Sequence, residues 1–164
     1  MRRITILVVL TAVAALTASV AAAAVSQSYQ LSGSAVVSSQ GTTSMSGFAV
    51  GSNGDRGFWR ASVTTGPLSA CATLNSSCDI TGGTFTLNTR SGSITGTLSG
   101  AVTLTSQSQR SGDRYTVLAT VATAAGTEEL NVVVTTSHGS HGSCFSFGSS
   151  VQGSLTPAFT APGG

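Results

Sequence analysis

The segment His138-Gly-Ser-His141-Gly-Ser-Cys144 gathers both histidines of the chain and one of its three cysteines at three-residue spacing. Imidazole and thiolate are ligands for zinc or copper. On a regular strand His138 and His141 would point to opposite faces, but Gly139 and Gly142 let the backbone curl so that they converge. A closed structural site needs four ligands, and the sequence offers no fourth. The segment therefore reads first as a polar hairpin loop with solvated histidines. His138, His141 and Cys144 stay as metal candidates, and no metal or other cofactor is assigned. Cys71 and Cys78 flank a turn-rich stretch containing Asn75, Ser76 and Ser77. In an exported protein such a pair reads as a disulfide. Closing so short a loop restrains the unfolded chain by about 2–3 kcal/mol. Cys144 is then left over, as a free thiol, a buried apolar residue or an intermolecular partner; the alternative pairs it with Cys71 or Cys78.

Other chemistry is missing. There is no G-x-S-x-G elbow, and the many serines lack a histidine–carboxylate partner arrangement. Glu128 and Glu129 are adjacent and so fall on opposite faces of a strand, a poor geometry for paired acid–base work. No glycine loop precedes a helix to cradle phosphate. Asn75-Ser76-Ser77 is a glycosylation sequon if the source is a eukaryote. Trp59 reads as a core residue first and a ligand platform second. Arg56 and Arg60 read as exposed positive charges.

The elements that position these residues lie downstream of an export leader. Arg2 and Arg3 precede an apolar run from Ile4 to Val20, and Ala21 to Ala24 supply the small residues of an A-x-A cleavage site. That order reads as a signal-peptide helix, residues 1–24, and predicts a secreted protein, extracellular or periplasmic. The uncut alternative is a membrane anchor, since the run is long enough to cross a bilayer. After cleavage no membrane span is expected. The formal net charge of +2 belongs to Arg2 and Arg3; the remaining five arginines face five carboxylates. The basic pI is thus a property of the leader, and nothing in the mature chain points to nucleic acid. Charged residues are 7% of the chain and lysine is absent, against about 25% in ordinary domains. Serine, threonine, asparagine and glutamine provide the polarity instead.

The mature chain is long enough for one domain, residues 25–156, with a loose tail at 157–164. Its pattern is period two. From Ser93 to Thr105, Ile94, Gly96, Leu98, Gly100, Val102 and Leu104 share one face, and serine, threonine and Ala101 the other. Large residues alternating with glycine suit the taper of a small barrel. Further strands are predicted over 29–37, 44–50, 56–64, 80–89, 114–123, 128–136 and 144–155. In 56–64, Trp59, Ala61 and Val63 share a face, with Arg56, Phe58 and Arg60 opposite. No helix is predicted in the mature chain. The expectation is an all-β fold, a single antiparallel up-and-down β-barrel of about eight strands, with a β-sandwich as the alternative. With few charges to guard edges, closing the sheet removes them.

The stretch GTFTLNTRSGSITGTLSGAVTLT from Gly83 to Thr105, followed by RYTVLATV from Arg114 to Val121, resembles the central hairpins of the allene-oxide-cyclase and dirigent-like eight-stranded barrels. It is also similar to a hairpin of the avidin family. The resemblance implies a barrel that takes small apolar or amphipathic molecules at its mouth. Neither family's site residues carry over. Avidins need several tryptophans, and this chain has one; the polar and acidic groups of a cyclase have no counterparts.

In a meander, alternate loops share an end. Cys71, Cys78, Arg110, Asp113, His138, His141 and Cys144 would then meet at one rim. Arg110, His138 and His141 at that rim, and Trp59 as the one tryptophan of the barrel, are the ligand-binding candidates. The leading functional reading is a secreted, non-enzymatic barrel binding a small apolar molecule or a partner surface. The second is a structural or interaction protein of the cell envelope or extracellular matrix. The third is an isomerase of the allene-oxide-cyclase type. The sequence sets no oligomeric state.

Overall fold

Each amphipathic strand has one face to hide, and eight of them hide it by closing on one another. The computed structural model describes residues 27–37, 41–65, 73–108, 112–136 and 149–158. The strands are β1 (Tyr29–Val37), β2 (Thr42–Gly51), β3 (Arg56–Thr65), β4 (Ser77–Thr89), β5 (Ser93–Ser106), β6 (Arg114–Thr123), β7 (Gly126–Thr136) and β8 (Ser149–Pro157). Every neighbour is antiparallel, and β8 pairs with β1 to close an eight-stranded barrel in sequence order. The up-and-down barrel is therefore the fold, and the sandwich is not. The leader, residues 1–24, lies outside the described residues. β8 takes in Pro157 at its last position, where the missing N–H interrupts no ladder, and the Ala158 N–H donates to the Thr127 carbonyl at 3.1 Å.

The interior is apolar. Leu31, Met45, Trp59, Phe85, Leu87, Leu98, Val121, Leu130, Val132, Val151 and Leu155 are all buried in one cluster. An eight-stranded barrel is just wide enough for side chains to fill, so size must be matched along each ring of residues. One ring runs Val151, Gly33, Gly47, Trp59, Leu87 and Ile94 across β8, β1, β2, β3, β4 and β5. Two glycines, paired face to face, sit beside the one tryptophan. The indole is 1% exposed, and its N–H donates to the Ser32 carbonyl at 3.1 Å. In the next ring Phe85 stands between Ala61 and Gly96. The Trp59 and Phe85 rings stack with centroids 6.3 Å apart and planes at 21°, a geometry that adds to the area they bury.

The outer wall carries hydroxyls. Thr95, Thr97, Ser99, Thr103 and Thr105 face outward on β5, and neighbouring hydroxyls bond across strands: Ser77 to Thr103 at 2.6 Å and Thr105 to Thr116 at 3.3 Å. A lipid-facing barrel wall needs the opposite, an apolar outer band.

The inward phase is not continuous along β4. Cys78 and Ile80 are buried at even positions, then Phe85 and Leu87 at odd ones. Between them one extra residue sits on β4 relative to both β3 and β5. This bulge at Thr81, whose hydroxyl donates to the Thr64 carbonyl at 3.2 Å, resets the alternation.

A Cβ on Gly47 would lie well inside contact distance of the Ser32 carbonyl oxygen and close to the Gly33 Cα, both backbone atoms that cannot swing away. Gly47→Ala is expected to destabilise the barrel by about 1–3 kcal/mol through overpacking. Urea titration followed by Trp59 fluorescence measures this, and the emission should shift to the red as the indole loses its seat.

Candidate functional site

Strand direction fixes two ends. The connections β1–β2, β3–β4, β5–β6 and β7–β8 open at one end, and β2–β3, β4–β5 and β6–β7 at the other. Of the residues expected at the first end, Cys71, Arg110, His138, His141 and Cys144 lie outside the described residues. Cys78 is buried near that end of β4, facing inward. It is half of a disulfide, and no complete cysteine pair falls among the described residues. Asp113 precedes β6, with its carbonyl accepting from the Thr136 N–H at 2.8 Å. Ser149, at the start of β8, is buried with its hydroxyl unpartnered. Among the described residues no group of three His, Cys, Asp or Glu could hold a metal ion.

Trp59 is buried inside the barrel. Its neighbours in the ring are glycines on one side and Leu87 on the other, and Phe85 stacks against the indole. Near the second end one charged side chain points inward. Glu128 keeps the inward phase of Leu130, Val132 and Val134 on β7, with Val121 and Pro157 as its cross-strand neighbours. Burial raises its carboxyl above the ordinary value.

The outer wall holds the large exposed side chains. Phe48 on β2 and Phe58 on β3 are directly paired, 61% and 63% exposed, with ring centroids 4.7 Å apart and planes tilted by 45°. Val50, also exposed, follows on the same face of β2. On β3 the order outward is Arg56, Phe58, Arg60. No carboxylate of the described residues pairs with either guanidinium. A short turn at Ser52–Asp55 joins the two strands, closed by the Gly51 N–H to the Asp55 carbonyl at 2.7 Å. The Asp55 carboxylate accepts from the Ser91 hydroxyl and, at 2.9 Å, from the Arg56 N–H. Hydrogen bonding from the side chains of Ser91 and then Thr89 holds its pKa below the ordinary value. Asp55, Arg56, Arg90 and Ser91 border a recess there.

A second recess lies across β6, β7, β8 and β1, lined by Gln30, Arg114, Asn131, Thr135, Gln152 and Ser154. It adjoins the phenylalanines. One outward row runs Gln152, Ser32, Phe48, Phe58, Asn88 across five strands, and the next runs Ser154, Gln30, Val50, Arg56. Sequence reading put Phe58 opposite Trp59 but did not join it to Phe48. The signal was available: both phenylalanines lie five residues from Asn53, the middle of the Gly51–Asp55 connection, and register in a hairpin is fixed by the turn.

Glu128 makes stability depend on pH. Its carboxyl is raised in the fold, so the protonated form favours folding. The contribution is complete below the unfolded value near 4.5 and is lost as pH rises through the higher folded value. Glu128→Gln is expected to raise stability above that window and leave it unchanged below. Thermal midpoints of both proteins across the acidic range to neutrality provide the measurement; parallel curves would contradict the assignment.

No protein-family model, no curated protein and no solved structure matches this chain. The resemblance to allene-oxide-cyclase, dirigent-like and avidin barrels therefore rests on the hairpin residues 83–121 alone.

Proposed function

We propose that this chain is an exported, non-catalytic β-barrel that binds a partner through its outer wall. The observation that carries the reading is the contrast between the two aromatic groups. Trp59 and Phe85 are buried and stacked within the barrel, while Phe48 and Phe58 stand together in solvent. A barrel that carries a small apolar molecule reserves its lumen for it; here that region is occupied by the chain's own rings. The binding of a small apolar molecule is the competing reading.

Export is supported by the order of Arg2 and Arg3, the apolar run and Ala21 to Ala24. The Cys78 disulfide fits an oxidising compartment. The outer hydroxyl wall favours a place in the envelope or matrix, where a surface without a strong field can lie among polar polymers.

Trp59 emission decides between lumen and wall. The expected spectrum is blue, weakly quenched by acrylamide, and unchanged by a fluorescent fatty acid. Saturable quenching of Trp59 by that probe would return the lumen to the role of binding site. On the other side, Phe48→Ser/Phe58→Ser should leave circular dichroism unchanged and release the protein from the envelope fraction of the cells that export it; equal retention of the variant would overturn the outer-wall reading.

Mass mapping of the secreted protein under non-reducing conditions tests the remaining assignments. The expected products are an N-terminus following Ala24 and a Cys71–Cys78 peptide pair, with Cys144 reacting as a free thiol. A Cys78–Cys144 pair would instead tie β4 to the β7–β8 connection.

A further inference from the structure

We infer that the outer wall of β8, β1, β2 and β3 is a binding site for a carboxylate-bearing polysaccharide, a uronate polymer. This rests on the outer-wall reading above and names its ligand class. Three features meet on one surface. The Phe48–Phe58 pair offers exposed ring area, which stacks on the C–H faces of pyranose rings at small entropic cost. Ser32 and Gln152 lie beside it in the same cross-strand row and Gln30 and Ser154 in the next, and their amides and hydroxyls match a donor-and-acceptor surface such as sugar hydroxyls. Arg56 and Arg60 flank Phe58 on its own strand. Each presents a planar fork of donors suited to a carboxylate, and neither has a carboxylate partner among the described residues.

The spacing fits a chain rather than a single small acid. Arg56, Phe58 and Arg60 alternate along β3, so the two guanidinium stems start about 13 Å apart on either side of the ring. From Gln152 to Phe58 the row crosses four strands, a width of about 14 Å. A linear polymer with one carboxylate per sugar can place acidic groups at both arginines while a ring between them covers the phenylalanines.

Charge sorts the other occupants. An isologous contact with a second copy would bring Arg56 and Arg60 toward their own counterparts. The nearest carboxylate, Asp55, sits in the turn beyond Arg56 and accepts from Ser91 and from the Arg56 N–H rather than from a guanidinium. Nor can an extended peptide add a strand, because the barrel offers no open edge.

The test is isothermal titration of the secreted, full-length processed protein with polygalacturonate, with dextran and poly-L-glutamate as comparisons. Expected are binding to polygalacturonate that weakens with added salt, and none to dextran. Phe48→Ser/Phe58→Ser and, separately, Arg56→Gln/Arg60→Gln should each weaken it by about tenfold or more, the size expected when charge-assisted hydrogen bonds are removed. Folding of both variants is checked by circular dichroism, and the arginine variant removes no packed side chain. No binding to polygalacturonate, or equal binding by both variants, overturns the proposal. Equal affinity for poly-L-glutamate shows that charge alone is read and overturns the sugar assignment. A dimer in sedimentation velocity that Phe48→Ser/Phe58→Ser dissolves gives the surface to a second copy and also overturns it. If polygalacturonate fails while the phenylalanine variant still leaves the envelope fraction, the ligand class falls and the outer-wall reading stands. If both fail, both fall.

Discussion

The seat of Trp59 is the constraint on which the rest of the barrel depends. An eight-stranded barrel has a lumen of nearly fixed width, and an indole fills much of it. The ring beside Trp59 therefore has to give up side chains where the indole lies, and Gly33 and Gly47 do so as a directly opposed pair. Phe85 likewise has small neighbours, Ala61 and Gly96. At Gly33, Gly47 and Gly96 an added Cβ would press on a backbone carbonyl oxygen of the neighbouring strand, so glycine there is what lets the strands approach so closely. The indole N–H, which would be costly to bury unpaired, meets the Ser32 carbonyl.

With most of the apolar side chains committed to the interior, the outer wall is left largely to serine, threonine and amides, with Val36, Phe48, Val50, Phe58 and Leu118 as its exposed apolar members. This is why a chain with so few charges can still present a polar surface. Closure matters as much as composition. Hydroxyl-rich strands with free edges would invite pairing with other chains, and charges are the usual guard. Here β8 meets β1, and the edges disappear. Against that wall Phe48 and Phe58 are out of character, since inward phase is available to neither and solvent meets both.

Much of the barrel was legible in the sequence. Stretches 29–37 and 114–123 coincide with β1 and β6, and the glycine-spaced face of 93–105 is the inward face of β5. Strict alternation carries that information as long as the phase holds. It fails at Thr81, where the bulge lets Cys78 and Ile80 face inward on even positions ahead of Phe85 and Leu87 on odd ones. A reading that keeps to one phase starts β4 late, at residue 80 rather than at Ser77. The site was less legible because its signal is relational. Phe48 and Phe58 are individually unremarkable exposed residues; their pairing exists only once the register of β2 against β3 is known. Residue type drew attention to His138, His141 and Cys144, which lie outside the described residues, and away from the wall.

Closure also limits how such a protein can recognise anything. A sheet with an edge can lend its backbone to a partner, and affinity then comes from main-chain hydrogen bonds. A closed barrel has spent those groups on its own ladders, so recognition falls to side chains on the wall or at the ends. Short hydroxyls reach little beyond the surface and exchange readily with water, contributing little net free energy each. Long or broad side chains contribute more per contact, and on β2 and β3 they are Phe48, Phe58, Arg56 and Arg60. The row that joins them to Gln152 through Ser32 keeps a short side chain at its middle, so a ligand lying across β1 would meet the amides and the rings without a ridge between them.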